Sequence, residues 1–354
     1  MRTLLIMAGG TGGHIFPGLA VAAEARAAGW QVVWMGARGG MEERLVPRHG
    51  YSTAWIRARA ARGKGLLQKL LLPANLLFSF WESARHIRRI RPDVVLGLGG
   101  YVAFPGGMMA SLLGKPLALH EQNAIAGLAN KVLAGVSDKV MVAFPDALSK
   151  AEWTGNPVRV AIASIAAPEE RFRGRQGPLR ILVVGGSLGA QALNDAMPRA
   201  LALLSERPTV VHQSGEKHLE ALRANYAAAG VQGELVAFID DMARRYAEAD
   251  LVVCRAGALT LAELAAAGVG SVLRLGEGER GHGLPAGDGR DPMLQGLRAA
   301  RLQDRIAAES LHGQSRLGPG GGLGQPFAEQ AQVQRRDRIV LTRPAGRGRK
   351  QRGQ

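Results

Sequence analysis

Short runs of Val, Ile and Leu alternate along this chain with longer Ala/Leu/Arg segments at helical spacing. The runs predict strands at Thr3–Met7, Gln31–Met35, Asp93–Leu96, Leu117–Leu119, Lys139–Val142, Arg180–Val184, Thr209–His212, Glu234–Ala237 and Leu251–Val253. Helical patterns fall between them, as at Pro17–Ala28 and Ala190–Leu204. Continuous apolar strands separated by helices predict parallel sheets covered on both faces. The polar stretch Ala163–Gly177 is the expected connection between two such units. Both units open alike, with TLLIMAGGTGGH in the first and RILVVGGSLGAQ in the second. Two doubly wound units facing each other would line a cleft with the carboxyl ends of their strands, where such sheets bind ligands.

A length of 354 residues suits two domains, and 47% hydrophobic residues suit a folded chain. The net charge of +16 points to an anionic partner: nucleic acid, acidic lipid or a phosphorylated substrate. Only 5% of residues are aromatic and none interleave regularly with basic stretches, so nucleic acid is not expected. The single cysteine, Cys254, excludes an internal disulfide, fits a reducing compartment and reads as inert packing. The apolar run Leu4–Ala8 is short for a signal peptide, and no stretch is long enough to span a bilayer. A cytoplasmic location follows as the expectation. From Arg274 onward the pattern stops: valine is absent until Val333, and Gly, Arg and Pro dominate. This tail carries fifteen basic and eight acidic residues, with a helical pattern only at Gln295–Glu309, and predicts disorder.

The crowded glycines have a physical use. A strand ending in glycines and feeding a helix leaves backbone N–H groups and the positive end of the helix dipole facing one small space. A diphosphate can be held there without a lysine. Neither loop is a P-loop, and neither matches GxGxxG in spacing. A single tight strand–helix turn would be an ordinary steric feature; two copies at equivalent points favour anion binding. His14 stands just behind the first loop, where the helix dipole disfavours imidazolium and leaves a ring able to accept a proton. A loop-bracing histidine is the plainer alternative.

In order, the chain reads GGTGGHIFP, GLGGYVAFP, HEQNAIAGLAN, TGNPVR, GGSLGAQALN, FIDDM and CRAGALTLAEL. Together these motifs closely resemble the bacterial family 28 glycosyltransferases that form lipid II, from Met1 to about Leu273. The resemblance implies the GT-B arrangement: an acceptor and membrane domain over 1–160 and a partial UDP-GlcNAc domain over 161–273, both Rossmann-like. Residues 274–354 stand outside it. It implies an inverting transfer in peptidoglycan synthesis, moving GlcNAc from UDP-GlcNAc to the 4-hydroxyl of MurNAc in undecaprenyl-pyrophosphoryl-MurNAc-pentapeptide (lipid I). By motif, Thr11, Gly12, Gly13, Tyr101 and Asn123 lie on the acceptor side. Arg159, Ser187, Ile239, Ala258, Leu259, Thr260, Leu261, Ala262 and Glu263 match donor positions, with Glu263 on the ribose hydroxyls.

His14 is the favoured base and Glu121 the alternative; the plainer reading of Glu121 is a buried carboxylate tied to His120 or a backbone amide. With no Asp-x-Asp in the chain, no metal or other cofactor is expected. Asp240 and Asp241 read as a helix N-cap.

After GVGSVL the family continues with a His/Asp/Gln segment whose glutamine contacts the donor sugar. Here the chain reads RLGEGERGHGLPAGDG, and no residue matches that glutamine; Gln295 sits in another context. A shifted reading frame in GC-rich DNA, starting near Val272–Arg274, would produce such a switch. Two other readings stay open: a sugar-nucleotide-binding module without turnover, and a related enzyme with another lipid acceptor or epimerase chemistry.

The segment 66–91, LLQKLLLPANLLFSFWESARHIRRIR, carries an apolar run flanked by Arg57, Arg59, Arg62, Lys64 and Lys69 before it and Arg85, Arg88, Arg89 and Arg91 after it. Apolar faces with cationic borders lie on anionic bilayers. The alternative is a core-facing helix with basic neighbours.

Overall fold

The computed structural model describes residues 1–58, 72–186, 189–274 and 339–342. The chain divides into two compact units, one of residues 1–163 with 257–263, the other of 164–256 with the described residues from 264 onward.

The first unit holds seven strands: β1 (Thr3–Ala8), β2 (Gln31–Ala37), β3 (Ser52–Ile56), β4 (Val94–Gly99), β5 (Leu117–Glu121), β6 (Lys139–Val142) and β7 (Glu152–Trp153). Their order is β3-β2-β1-β4-β5-β6-β7, with every pairing parallel. β1 explains why its sequence is apolar throughout. Alternate residues Leu5 and Met7 join one core with Val33, Met35, Leu117 and Leu119, while Leu4, Ile6 and Ala8 join the opposite core with Trp34 and Leu98. The Trp34 indole N–H is satisfied inside by the Ala8 carbonyl at 3.0 Å.

The helix after β1 runs Gly12–Ala27, beginning five residues before the predicted Pro17 start. Glycines are poor helix formers, but the amides of His14 and Ile15 both close onto the Thr11 carbonyl at 3.1 and 3.2 Å. His14 therefore belongs to the first turn.

In the second unit β8 (Arg180–Val184), β9 (Thr209–Gln213), β10 (Glu234–Val236), β11 (Leu251–Arg255), β12 (Gly270–Arg274) and β13 (Ile339–Thr342) form a sheet in the order β10-β9-β8-β11-β12-β13. All are parallel except β13, which runs antiparallel to β12. Ile339–Thr342 is the described part of the chain beyond Arg274. Ile339–Thr342 is an IVLT run of high β propensity, and it supplies hydrogen-bonding partners to a β12 edge. The helical pattern at Gln295–Glu309 lies outside the described residues.

The unpredicted strands have weak signals. β3, STAWI, opens with two hydroxyl residues, and β7 is two residues long.

The helix Leu72–Ile90 packs inward with Ser79, Ser83, Ala84 and Ile87, and Phe80 meets Phe104 edge-on at 5.9 Å. The serine hydroxyls donate back to the carbonyls of Asn75 and Ser79 at 2.9 and 2.7 Å. Leu76, Leu77, Phe78 and Trp81 face outward, with Leu77 69% and Trp81 55% exposed. The core-facing alternative thus fails for these four. Arg57 lies over Phe78 and Arg85 over Trp81. Arg59, Arg62, Lys64, Lys69 and Leu70 lie outside the described residues. Among those described, no helix is long and apolar enough to cross a membrane.

In the second core, the buried His212 ring lies between the Tyr226 hydroxyl at 3.0 Å on Nδ1 and Asn194 Oδ1 at 3.1 Å on Nε2. Burial pushes its titration down to about 4. The unfolded chain binds this proton below about 6.5 and the folded chain only below about 4. Stability therefore falls as pH drops through that window, by about 3 kcal/mol in full. Amide-exchange protection of β8 and β9 should decline over the same range, and His212→Gln should remove that part of the slope.

Candidate active site

In the first unit the strand order reverses between β1 and β4; β1 runs directly into Gly9, and β4 ends at Gly99. This is where a doubly wound sheet opens a crevice. Gly10, Gly99 and Gly100 take positive φ of 90°, 106° and 81°. A Cβ on Gly100 would stand 2.2 Å from the Gly9 carbonyl oxygen, so the two loops meet backbone to backbone. A Cβ on Gly99 would stand 2.9 Å from His14 Cε1; its absence seats the imidazole. Tyr101 lies beside Gly10, and burial followed by the nearby Glu42 charge raises its phenol above the ordinary range. Thr11 and Gly13 are exposed at the loop, while Gly12 is buried.

Underneath sits Glu42, a fully buried carboxylate that accepts from the amides of Gly10 at 3.1 Å and Ala37 at 3.0 Å. It packs against Gly9, Gly36 and Gly40, where any Cβ would strike its carboxylate or its stem. One amide of the supposed phosphate loop is thus already committed to a carboxylate. Nothing in the sequence singled out Glu42, which reads as an ordinary helix charge in MEERL. The surrounding glycines of GARGG were its only signal.

Side chains alternate along β5 and into the residue after it, separating neighbours in HEQN. Glu121 turns to one side and anchors the following loop. Its Oε1 accepts from the amide and the side-chain nitrogen of Asn123, both at 2.9 Å; its Oε2 accepts from Gly127 N at 3.2 Å and Asn130 Nδ2 at 2.8 Å. Four donors occupy a carboxylate's four acceptor positions. His120 and Gln122, both buried, turn the other way, and Gln122 Oε1 reaches His14 Nδ1 at 2.8 Å.

Arg159 reaches Glu263 through Nε at 3.1 Å and Nη2 at 2.8 Å, and its guanidinium lies 4.5 Å from the Phe16 ring centroid. Glu263 is buried, and Ala258, Leu259, Thr260, Leu261 and Ala262 are half-buried in the same helix, Ala258–Ala267. Asn156 donates to the carbonyls of Gln122 at 3.1 Å and Ala258 at 3.4 Å.

In the second unit the GGSLGA loop carries positive φ at Gly186 and Gly189, and its helix starts only at Gln191. The two glycine loops therefore differ: the first lies partly within its helix and the second precedes it. Ser187 lies outside the described residues. Ile239 is buried, and Asp241 caps the helix Met242–Glu248 by accepting from Arg244 N at 3.1 Å. Cys254 is buried and its thiol is pushed up to about 12. Among the described residues, no group of three or more His, Cys, Asp and Glu side chains is placed to hold a metal ion.

Two family signatures match the chain. The N-terminal domain of glycosyltransferase family 28 covers residues 4–142, and its C-terminal domain covers residues 180–275. The UDP-N-acetylglucosamine–N-acetylmuramyl-(pentapeptide) pyrophosphoryl-undecaprenol N-acetylglucosamine transferase of Aromatoleum aromaticum is 68% identical over 275 residues, 77% of each chain. The transferase of the same name from Dechloromonas aromatica is 63% identical over 274 residues, 77% of this chain and 78% of its own. The crystal structure of Acinetobacter baumannii MurG superposes with a TM-score of 0.62 at 41% identity, over 78% of this chain and 79% of that one.

Replacing Glu42 with Ala would strand the buried Ala37 amide, at about 1–3 kcal/mol, and remove the partner of the half-buried Gly10 amide. Glu42→Ala should lower the thermal midpoint of the first unit by several degrees. An unchanged midpoint would contradict the anchoring role.

Proposed function

We infer from one premise, that the chain belongs to glycosyltransferase family 28, that it moves N-acetylglucosamine from UDP-GlcNAc onto the lipid-linked muramyl pentapeptide of peptidoglycan synthesis. The observation that carries this is 68% identity to a transferase of that name over 275 residues.

The MurNAc 4-hydroxyl attacks the anomeric carbon, a base takes its proton, and UDP departs with inversion. We assign the base to His14. It sits in the first helical turn at the sheet's reversal point, at the positive end of the Gly12–Ala27 helix. Glu121 is assigned to loop anchoring, because its four acceptor positions are occupied. Thr11, Gly12, Gly13, Tyr101 and Asn123 are assigned to the acceptor. Ser187, Ile239 and the run Ala258–Glu263 are assigned to the sugar nucleotide, with Glu263 on the ribose hydroxyls. Arg159 is assigned to stabilise negative charge growing on the leaving diphosphate, which requires it to share its guanidinium between Glu263 and that group. No step calls for a metal.

The outward Leu76, Leu77, Phe78 and Trp81, bordered by Arg57 and Arg85, support a peripheral seat on the anionic cytoplasmic face of the bacterial inner membrane. Only 5% of residues are aromatic and none interleave regularly with basic stretches, so a nucleic acid partner is not proposed.

Transfer of labelled GlcNAc to a soluble lipid I analogue tests the assignment. His14→Ala should lower kcat by about 10²–10⁴-fold while UDP-GlcNAc binding, read by calorimetry, stays near wild type. Binding without any transfer by the wild-type chain would instead favour the module that holds nucleotide sugar without turnover. For the membrane, binding to vesicles rich in phosphatidylglycerol should weaken steeply with added salt; binding indifferent to salt would remove the electrostatic part.

A further inference from the structure

Three motifs that lie far apart in sequence converge on one buried line of hydrogen bonds. His14 of GGTGGH, His120 and Gln122 of HEQN, and Gly155 of TGNPVR are joined end to end within the first unit. Resting on the assignment of His14 as base, we propose that Gln122 and His120 are positioning residues that set its tautomer, keeping the proton on Nδ1 and the Nε2 lone pair free.

The polarity of the line follows from its fixed points, both of them backbone carbonyls, which can only accept. Gln122 Nε2 lies 2.8 Å from the His120 carbonyl oxygen, so the amide's NH₂ end must face that way. Its second N–H points to His120 Nδ1 at 2.9 Å. His120 Nδ1 must therefore be bare, and its proton sits on Nε2, which donates to the Gly155 carbonyl at 2.9 Å. Both ends of His120 agree on one neutral tautomer.

With its NH₂ end committed, Gln122 can turn only Oε1 toward His14. An amide oxygen has nothing to donate, so His14 Nδ1 at 2.8 Å must be the donor. A neutral ring protonated on Nδ1 is bare on Nε2. This is the tautomer less populated by free histidine, so it needs an outside reason.

The surroundings keep the line from relaxing. Gln122 is 1% and His120 4% exposed, so an unpaired amide or ring nitrogen there would be costly. Burial, the largest influence on His120, shifts its titration downward and favours the neutral ring. Asn156 Nδ2 clamps the Gln122 carbonyl. The missing Cβ of Gly99 lets the His14 ring lie close enough to reach Oε1. The arrangement resembles in purpose the carboxylate that orients a catalytic histidine elsewhere, but a neutral amide does the work here. It orients the ring without adding a negative charge beside a site meant for diphosphates.

The test uses the full chain labelled with ¹⁵N-histidine and long-range ¹H–¹⁵N correlation at mildly alkaline pH, with His14 assigned by its loss in His14→Ala. We expect Nδ1 protonated and Nε2 bare in the wild type. Gln122→Met, similar in length but without an acceptor, should move the His14 proton toward Nε2. It should also lower kcat by about tenfold or more while KM for UDP-GlcNAc changes little. A purely structural role for Gln122 would leave the His14 tautomer where it was. If Gln122→Met does not fold, the wild-type spectrum decides alone: a His14 ring carrying its proton on Nε2 overturns the relay. Failure of the base assignment reads differently, as full transfer activity in His14→Ala while the wild-type spectrum still shows His14 protonated on Nδ1.

Discussion

The first unit depends on a backbone-to-backbone contact that admits no side chain. Where β1 and β4 part, the Gly9 carbonyl lies against Gly100, closer than any Cβ would allow. That approach brings the two loop ends together, and the Glu42 carboxylate beneath ties Gly10 to Ala37 at the end of β2. Three neighbouring strands thus deliver their carboxyl ends to one fixed place. His14, Gly99 and Tyr101 take their positions from it.

Burying a carboxylate under a loop thought to receive pyrophosphate is an electrostatic compromise. Glu42 supplies acceptors that water cannot reach, and in return its negative charge opposes an incoming anion. The dipole of the Gly12–Ala27 helix puts its positive end at the same place. Arg159 and Glu263 repeat the pattern: each charge is satisfied by the other before any substrate arrives. The site is thus built from groups that are already paired and must share partners.

Much of this architecture could be read from sequence where the physics is local. TLLIMA, QVVWM and RILVV read as strands because both of their faces are buried, leaving no polar position to break the run. β3 was hidden because two of its five residues are Ser and Thr, and β12 because it follows directly on an alanine-rich helix. The early start of the first helix was hidden because Gly12 and Gly13 oppose helix formation locally, and only tertiary contacts make up the difference. Asp241 as an N-cap was legible, since capping is decided within four residues. The line from His14 to Gln122 was not: it spans 108 residues, and no local pattern encodes which amide meets which imidazole. Glu121 shows the intermediate case. Its two alternative roles were both visible, but choosing between them needed the positions of Asn123, Gly127 and Asn130.

The helix Leu72–Ile90 divides its labour between two sides. Its inward side carries Ser79, Ser83, Ala84 and Ile87, with serine hydroxyls that satisfy themselves on the preceding turn, and Leu76, Leu77, Phe78 and Trp81 look out. Cohesion of the fold and the proposed adhesion of its surface are consequently carried by different side chains of a single element. Leu77 and Trp81 are free to drift over evolutionary time toward stickier or more soluble versions without the interior having to readjust.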